Sequence, residues 1–164
     1  MYQILLLLIV VIPAILFLIT QQNTLKAVQP ENRLMHPGQV WLQIIPLVGQ
    51  AWQFIVVRRI ADSISRELSS VNDDSILGIS KEELETVDIK PTLKAGMAYS
   101  ILTAIYIIFN FIFRMEMILH SPNAQVFAIV ILALALSVMV CWIIYWVALG
   151  KYLKILRRKS LLIA

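Results

Sequence analysis

QVFAIVILALALSVMVCWIIYWVALG, residues 125–150, contains no Asp, Glu, Lys or Arg, and KYLKILRRK, residues 151–159, follows it directly. About 20 apolar residues at ~1.5 Å rise cross the ~30 Å hydrocarbon core of a bilayer. The run therefore predicts a transmembrane helix whose end is anchored by bases at the headgroups. Working outward, three further apolar segments occur, at about residues 2–20, 39–57 and 95–113, and a polar loop separates the last two over residues 69–94. This predicts an all-α integral membrane protein, one domain over residues 1–164, with four transmembrane helices in an antiparallel bundle.

Composition agrees. The chain has 164 residues, 60% hydrophobic and 15% charged, with mean hydropathy +0.82; a soluble domain is about a quarter charged. The net charge of +4 does not point to nucleic acid, because the bases sit at segment ends, where lipid headgroups lie. The single cysteine, Cys141, lies inside the fourth segment and forms no internal disulfide.

The first segment has neither a basic n-region nor a small-x-small site, so a retained helix is expected over a cleaved signal. Pro13 within it is of a kind that membrane helices tolerate. The second segment ends at Arg58-Arg59, and Ile60, Ile64 and Leu68 continue at helical spacing, with Asp62, Arg66 and Glu67 assigned to other faces. One helix leaving the bilayer as an amphipathic stem is expected. In the loop, Ser80 to Glu83 reads as a capping box before a short helix to Val87, and Ser121-Pro122-Asn123 reads as a turn.

Four spans put both termini and the 69–94 loop on one face. That face holds Arg58, Arg59, Arg66, Lys81, Lys90, Lys94 and the tail bases, against Lys26, Arg33 and Arg114 on the other. Lys and Arg favour the cytoplasm, so both termini are expected there. Trp142, Tyr145, Trp146 and Tyr152 crowd the same boundary, and Trp52 lies near it, as headgroup-level aromatics do.

Gln39, Gln43, Pro46, Gln50 and Gln53 share one helical stripe, as do Tyr99, Thr103, Tyr106, Asn110 and Arg114. Antiparallel pairing sets Gln53 against Tyr99, Gln50 against Thr103, Pro46 against Tyr106, Gln43 against Asn110 and Gln39 against Arg114. Such a seam is either interhelical glue or a polar pathway, although no charged residue lies well inside a span, as proton relays require. Gly96, Ser100 and Ala104, and likewise Ala133, Ser137 and Cys141, repeat every four residues and would let helices approach closely. His36, Glu116 and His120 fall on the expected outer face, but a dedicated metal site needs three or four convergent ligands, and none is expected. No nucleophile motif or phosphate loop occurs. The tail bases can attract anionic lipid or simply anchor orientation. The acids between Asp73 and Asp88 lack the central glycine of a calcium loop.

Asn32-Arg33-x-Met35-x-Pro37-Gly38-x-Val40-Trp41-Leu42-x-x-Ile45-Pro46-Leu47, with Trp52-Gln53-Phe54-Ile55-Val56-Val57 and Ala61-Asp62-Ser63, resembles a family of small, uncharacterised bacterial membrane proteins common in Bacteroidetes. Gly96-x-Ala98-Tyr99-Ser100-Ile101-Leu102 and Cys141-Trp142-Ile143-Ile144-Tyr145-Trp146 are similar to its later segments. Members read Phe-Asn after Ile-Pro-Leu where this chain has Val48-Gly49-Gln50. The resemblance implies the multi-pass fold and a bacterial inner-membrane location, and no activity.

Asn32, Arg33, Pro37 and Gly38 thus form a candidate outer-loop motif, either a binding site or a turn before a helix. Gln43, Gln50, Gln53, Tyr99, Thr103, Tyr106 and Asn110 form a candidate interhelical seam. The functional expectation is a non-enzymatic accessory or interaction subunit without a cofactor, partnered by the lipid bilayer and by another protein or a second copy. The alternatives are a small transporter or channel subunit for a neutral solute or lipid, and a membrane enzyme built on His36, Glu116 and His120.

Overall fold

A computed structural model describes residues 2–46, 48–70, 92–118 and 124–163. The described residues are all-helical, with no strand: α1 (Tyr2–Ala27), a 3-10 helix (Pro37–Ile44), α2 (Val48–Ser69), α3 (Leu93–Ile118) and α4 (Ala124–Ile163). The expected short helix at Ser80 and the turn at Ser121 lie outside them.

Among the described residues, two helices are long and apolar enough to cross a membrane, Leu93–Arg114 and Gln125–Lys159. Few or none of the residues in their apolar windows are buried. Ile129 is 68% exposed and Phe111 66%, whereas the core helix of a soluble protein buries such side chains.

Four spans are not supported, and the second segment gives the physical reason. It is not one helix. Pro37 enters the 3-10 helix behind His36, whose Nδ1 accepts the Gly38 amide while Gln39 Oε1 accepts the His36 amide. The 3-10 helix stops at Ile45, which is extended (φ −70°, ψ 121°), as the residue before a proline is driven to be. The Gly49 amide then bonds the Ile45 carbonyl at 2.7 Å. A Cβ on Gly49 would fall on the Gln43 carbonyl, so only glycine lets the two limbs close up. From Val48 to Val57 α2 has an apolar reach of ~15 Å before Arg58-Arg59, half of what a span needs.

Contacts set the helix directions. Trp146 Nε1 donates to Thr20 Oγ1 at 2.9 Å, and Phe17 meets Tyr145 edge-on at 5.7 Å. Farther along both helices, Asn32, just past α1, and Lys159, near the end of α4, both bond Glu67 of α2. So α1, α2 and α4 run the same way. Helix α3 runs against them: its Gly96 lies by Val57 and Tyr145, and Ser100, one turn on, bonds Gln53, one turn earlier in α2. The first residue of α1 and the last of α4 are therefore at opposite ends of the molecule, and the expectation of both termini on one face is corrected.

The core sits at the end where α4 finishes. Phe17, Leu25 and Val28 pack against Val56, Val57, Ile60 and Ile64, and against Tyr145, Leu149 and Leu156. The 3-10 helix lies between α1 and α2, with Val40 buried. The expected single helix from Gln39 is broken before Val48, but its continuation past Arg58-Arg59 is present: α2 runs unbroken from Val48 to Ser69. The basic tail is also helical and packs Leu156 into the core.

Candidate functional site: a buried ion pair under an aromatic layer

Glu67 is 1% exposed. It follows Ile60 and Ile64 by seven and three residues, so it lies on the buried stripe and not on another face. Lys159 occupies the equivalent place on α4, where Tyr145, Leu149, Tyr152 and Leu156 repeat at 4-3-4-3 spacing and Lys159 is next. Its Nζ donates to Glu67 Oε1 at 2.5 Å and to the Glu67 carbonyl at 2.9 Å. Glu67 Oε2 accepts from Asn32 Nδ2 at 2.8 Å and from the Gln29 amide at 3.0 Å. Burial pushes the Glu67 carboxyl up, but the bonds from Lys159, Asn32 and Gln29, together with the Lys159 charge, outweigh it and hold the group below its ordinary range. Three distant stretches of chain are thereby tied together. Lys159 is not one of the bases free to meet lipid.

The candidate motif Asn32–Gly38 docks on α2. Asn32 reaches Glu67 and Ser70, and the Leu34 amide donates to Ser63 Oγ at 3.0 Å. Arg33 Nη2 donates to the carbonyls of Val28 at 2.9 Å and Lys26 at 3.4 Å, covering the C-terminal end of α1, where carbonyls are unpaired and a cation is favoured. Pro37 and Gly38 begin the 3-10 helix. The motif is a helix stop followed by a helix start, docked on α2. Because the second segment turns back, Lys26 and Arg33 join Arg58, Arg59, Arg66, Lys94 and the tail bases at one end, leaving Arg114 at the other.

The seam forms in part. Gln53 Nε2 donates to Ser100 Oγ at 3.2 Å and Gln50 Nε2 to the Ser100 carbonyl at 3.3 Å. Helices α2 and α3 therefore meet through these amides, with Ser100 as partner in place of Tyr99 and Thr103. Thr103 bonds the Tyr99 carbonyl in its own helix. Gln43 bonds Gln21 Oε1 at 2.6 Å and the Val40 carbonyl, so it does not pair with Asn110. The Gln39 carbonyl accepts from Trp52 at 2.8 Å, so that glutamine belongs to the turned-back limb. Tyr106 and Asn110 lie on α3 one to three turns beyond Ser100, half-buried. The polar row is broken into pairs.

The expected headgroup belt is partly a core. Phe17 stands among Tyr99, Trp142, Tyr145 and Trp146 with centroid distances of 5.7–6.1 Å, and Tyr145 is fully buried. Of the two small-residue stripes, Gly96 and Ser100 serve the α2 contact, whereas Ala133 and Ser137 are exposed. His36 caps the 3-10 helix at the basic end. Glu116 is twenty residues past Gly96 along α3, ~30 Å away from that level, and His120 lies outside the described residues. No group of three metal-ligating side chains occurs among the described residues.

Sequence reasoning missed Glu67 and Lys159. The signal was there: a charge on each of two apolar stripes must find a partner. No protein-family model, curated protein or solved structure matches the chain.

Proposed function

We propose that the chain is a non-enzymatic, multi-pass membrane protein that serves as an interaction subunit of a membrane assembly, with α1, α3 and α4 crossing the bilayer and the packed end in the cytoplasm. One observation carries the reading: the buried charges at the packed end, Glu67 and Lys159, and the Asn32, Ser63 and Arg33 side chains around them are engaged with one another or with backbone, although the Tyr145 and Thr92 hydroxyls, Gln21 Nε2 and Arg33 Nε are buried without a hydrogen-bond partner among the described residues. Glu67 is held by Lys159, Asn32 and Gln29, Ser63 by Leu34, and Arg33 by the end of α1. That is the economy of a scaffold. The exposed aliphatics of α3 and α4 supply the surface for lipid and neighbouring helices. The bases collected beside α2 and the tail support a cytoplasmic packed end, and the resemblance to Bacteroidetes membrane proteins is the ground for a bacterial inner membrane.

Affinity purification in mild detergent, followed by light scattering, tests the reading. A protein mass above the 18.7 kDa of one chain, from a second copy or a stoichiometric partner, is expected. A monodisperse monomer without a co-purifying chain refutes it.

A further inference from the structure

The bend between the 3-10 helix and α2 carries exposed apolar side chains on both flanks. Ile44 is 59% exposed, Val48 55% and Ile45 45%. It is not a ragged loop, since its backbone is bonded internally: the Ile45 amide to the Leu42 carbonyl at 3.2 Å, Val48 to Pro46 and Gly49 to Ile45, both at 2.7 Å. Pro46 has no amide to satisfy. Both indoles on the limbs are satisfied within the protein, Trp41 by Gln22 and Trp52 by the Gln39 carbonyl. Irregular backbone survives at membrane depth only when its polar groups are answered in this way.

Depth agrees. Gln50 and Gln53 hang the bend on Ser100 of α3, above the level of Gly96 and inside the apolar run. Val48 to Val57 is a run of ten residues, ~15 Å or about half the hydrocarbon core. Arg58 and Arg59 follow at once and are both exposed, at the height where lipid phosphates begin. Ile101 and Ile105, one and five residues past Ser100 on α3, are also exposed.

We propose that residues 37–57 form a re-entrant hairpin that enters one leaflet and turns back within it, with Ile44, Ile45 and Val48 against acyl chains and Arg58 and Arg59 on the phosphates of anionic lipid. This rests on the membrane reading above. The occupant is lipid and not another protein because an apolar tip lies half a membrane above a pair of exposed guanidinium groups, which matches the section of one leaflet.

The test uses the full chain with Cys141→Ala and single cysteines, in carbonate-washed vesicles of both orientations. Glu31→Cys, Ser69→Cys and Arg158→Cys are expected to react with an impermeant maleimide in the same orientation. Glu31 and Ser69 reacting in opposite orientations overturns the hairpin and restores a span, while resistance to carbonate keeps the membrane reading intact. Release by carbonate overturns both. A nitroxide on Ile45→Cys or Val48→Cys is expected to be relaxed by oxygen and not by a water-soluble nickel chelate. Relaxation by nickel places the bend in water, and relaxation by neither places it under a protein partner or a second copy; each result overturns the lipid contact. In nanodiscs, phosphatidylglycerol added to phosphatidylcholine is expected to raise the unfolding midpoint, and Arg58→Gln with Arg59→Gln to abolish that rise. An undiminished rise overturns the phosphate contact.

Discussion

Replacing Lys159 with methionine keeps most of the volume of its buried stem and removes the ammonium, with its charge and its hydrogen bonds to the Glu67 carboxylate, the Glu67 carbonyl and Ser70. Glu67 Oε1 then loses the ammonium, while Oε2 keeps Asn32 and the Gln29 amide. Breaking a buried pair by removing one partner costs about 3–5 kcal/mol, because the other charge stays behind in a poor dielectric. The pH dependence sharpens the prediction. In the intact protein the Glu67 carboxyl is held below its ordinary value of 4.5. The unfolded chain therefore takes up that proton first, and this share of stability is complete above 4.5 and lost as pH falls through the folded value. In Lys159→Met, burial has fewer opponents while the Asn32 and Gln29 bonds remain, so the folded value moves up and the variant loses less stability than the intact protein as pH falls through the acid range. Unfolding in mild detergent, followed by the tryptophan fluorescence of the aromatic layer, reads both effects. A loss below ~1 kcal/mol, the range of exposed pairs, or a pH slope identical to that of the intact protein, refutes the argument that this pair is buried and paired.

Other substitutions test other parts of the fold. Gly96→Ala puts a Cβ on Val57 Cγ1 and within 2.9 Å of Tyr145 Cε2, with an expected cost of about 1–3 kcal/mol, partly recovered with Val57→Ala in a thermal-melt series. Gly49→Ala meets backbone and not a side chain that can yield, so no second substitution on α2 is expected to rescue it. Arg33→Ala uncovers the carbonyls of Lys26 and Val28 and should lower stability by about 1–2 kcal/mol, with faster amide exchange in the last turn of α1. In double-mutant cycles, Gln53→Leu with Ser100→Ala should couple by ~0.6–1.7 kcal/mol, whereas Gln50→Leu with Thr103→Val should be additive because Thr103 bonds its own helix.

Much of the fold was legible because it depends on local chemistry. A long run of apolar residues without charge forms a helix wherever it lies, since its backbone can be satisfied only internally, and α3 and α4 follow from that alone. The helical stem after Val57 followed from the spacing of Ile60 and Ile64. The break in the second segment was written as Pro46 and Gly49, but proline also occurs inside an unbroken helix, as Pro13 does in α1. Mean hydropathy cannot separate a span from a hairpin whose limbs are both apolar.

The sequence by itself determined that α3, α4 and the stem of α2 are helical and which of their stripes are apolar. Only tertiary structure decided direction and pairing. Once Ile45 is extended and Gly49 closes on Gln43, the chain returns to the end it left, Asn32 falls beside Glu67, and α1 becomes parallel to α4. A one-turn seam between α2 and α3 survives, because the offset that aligned Gln53 with α3 depended only on helical rise; the upper pairs were lost with the turn. The ion pair of Glu67 and Lys159 needed both the stripes and the return. Each charge lies on the inward face of its own helix, and only three stretches brought to one end give each a partner.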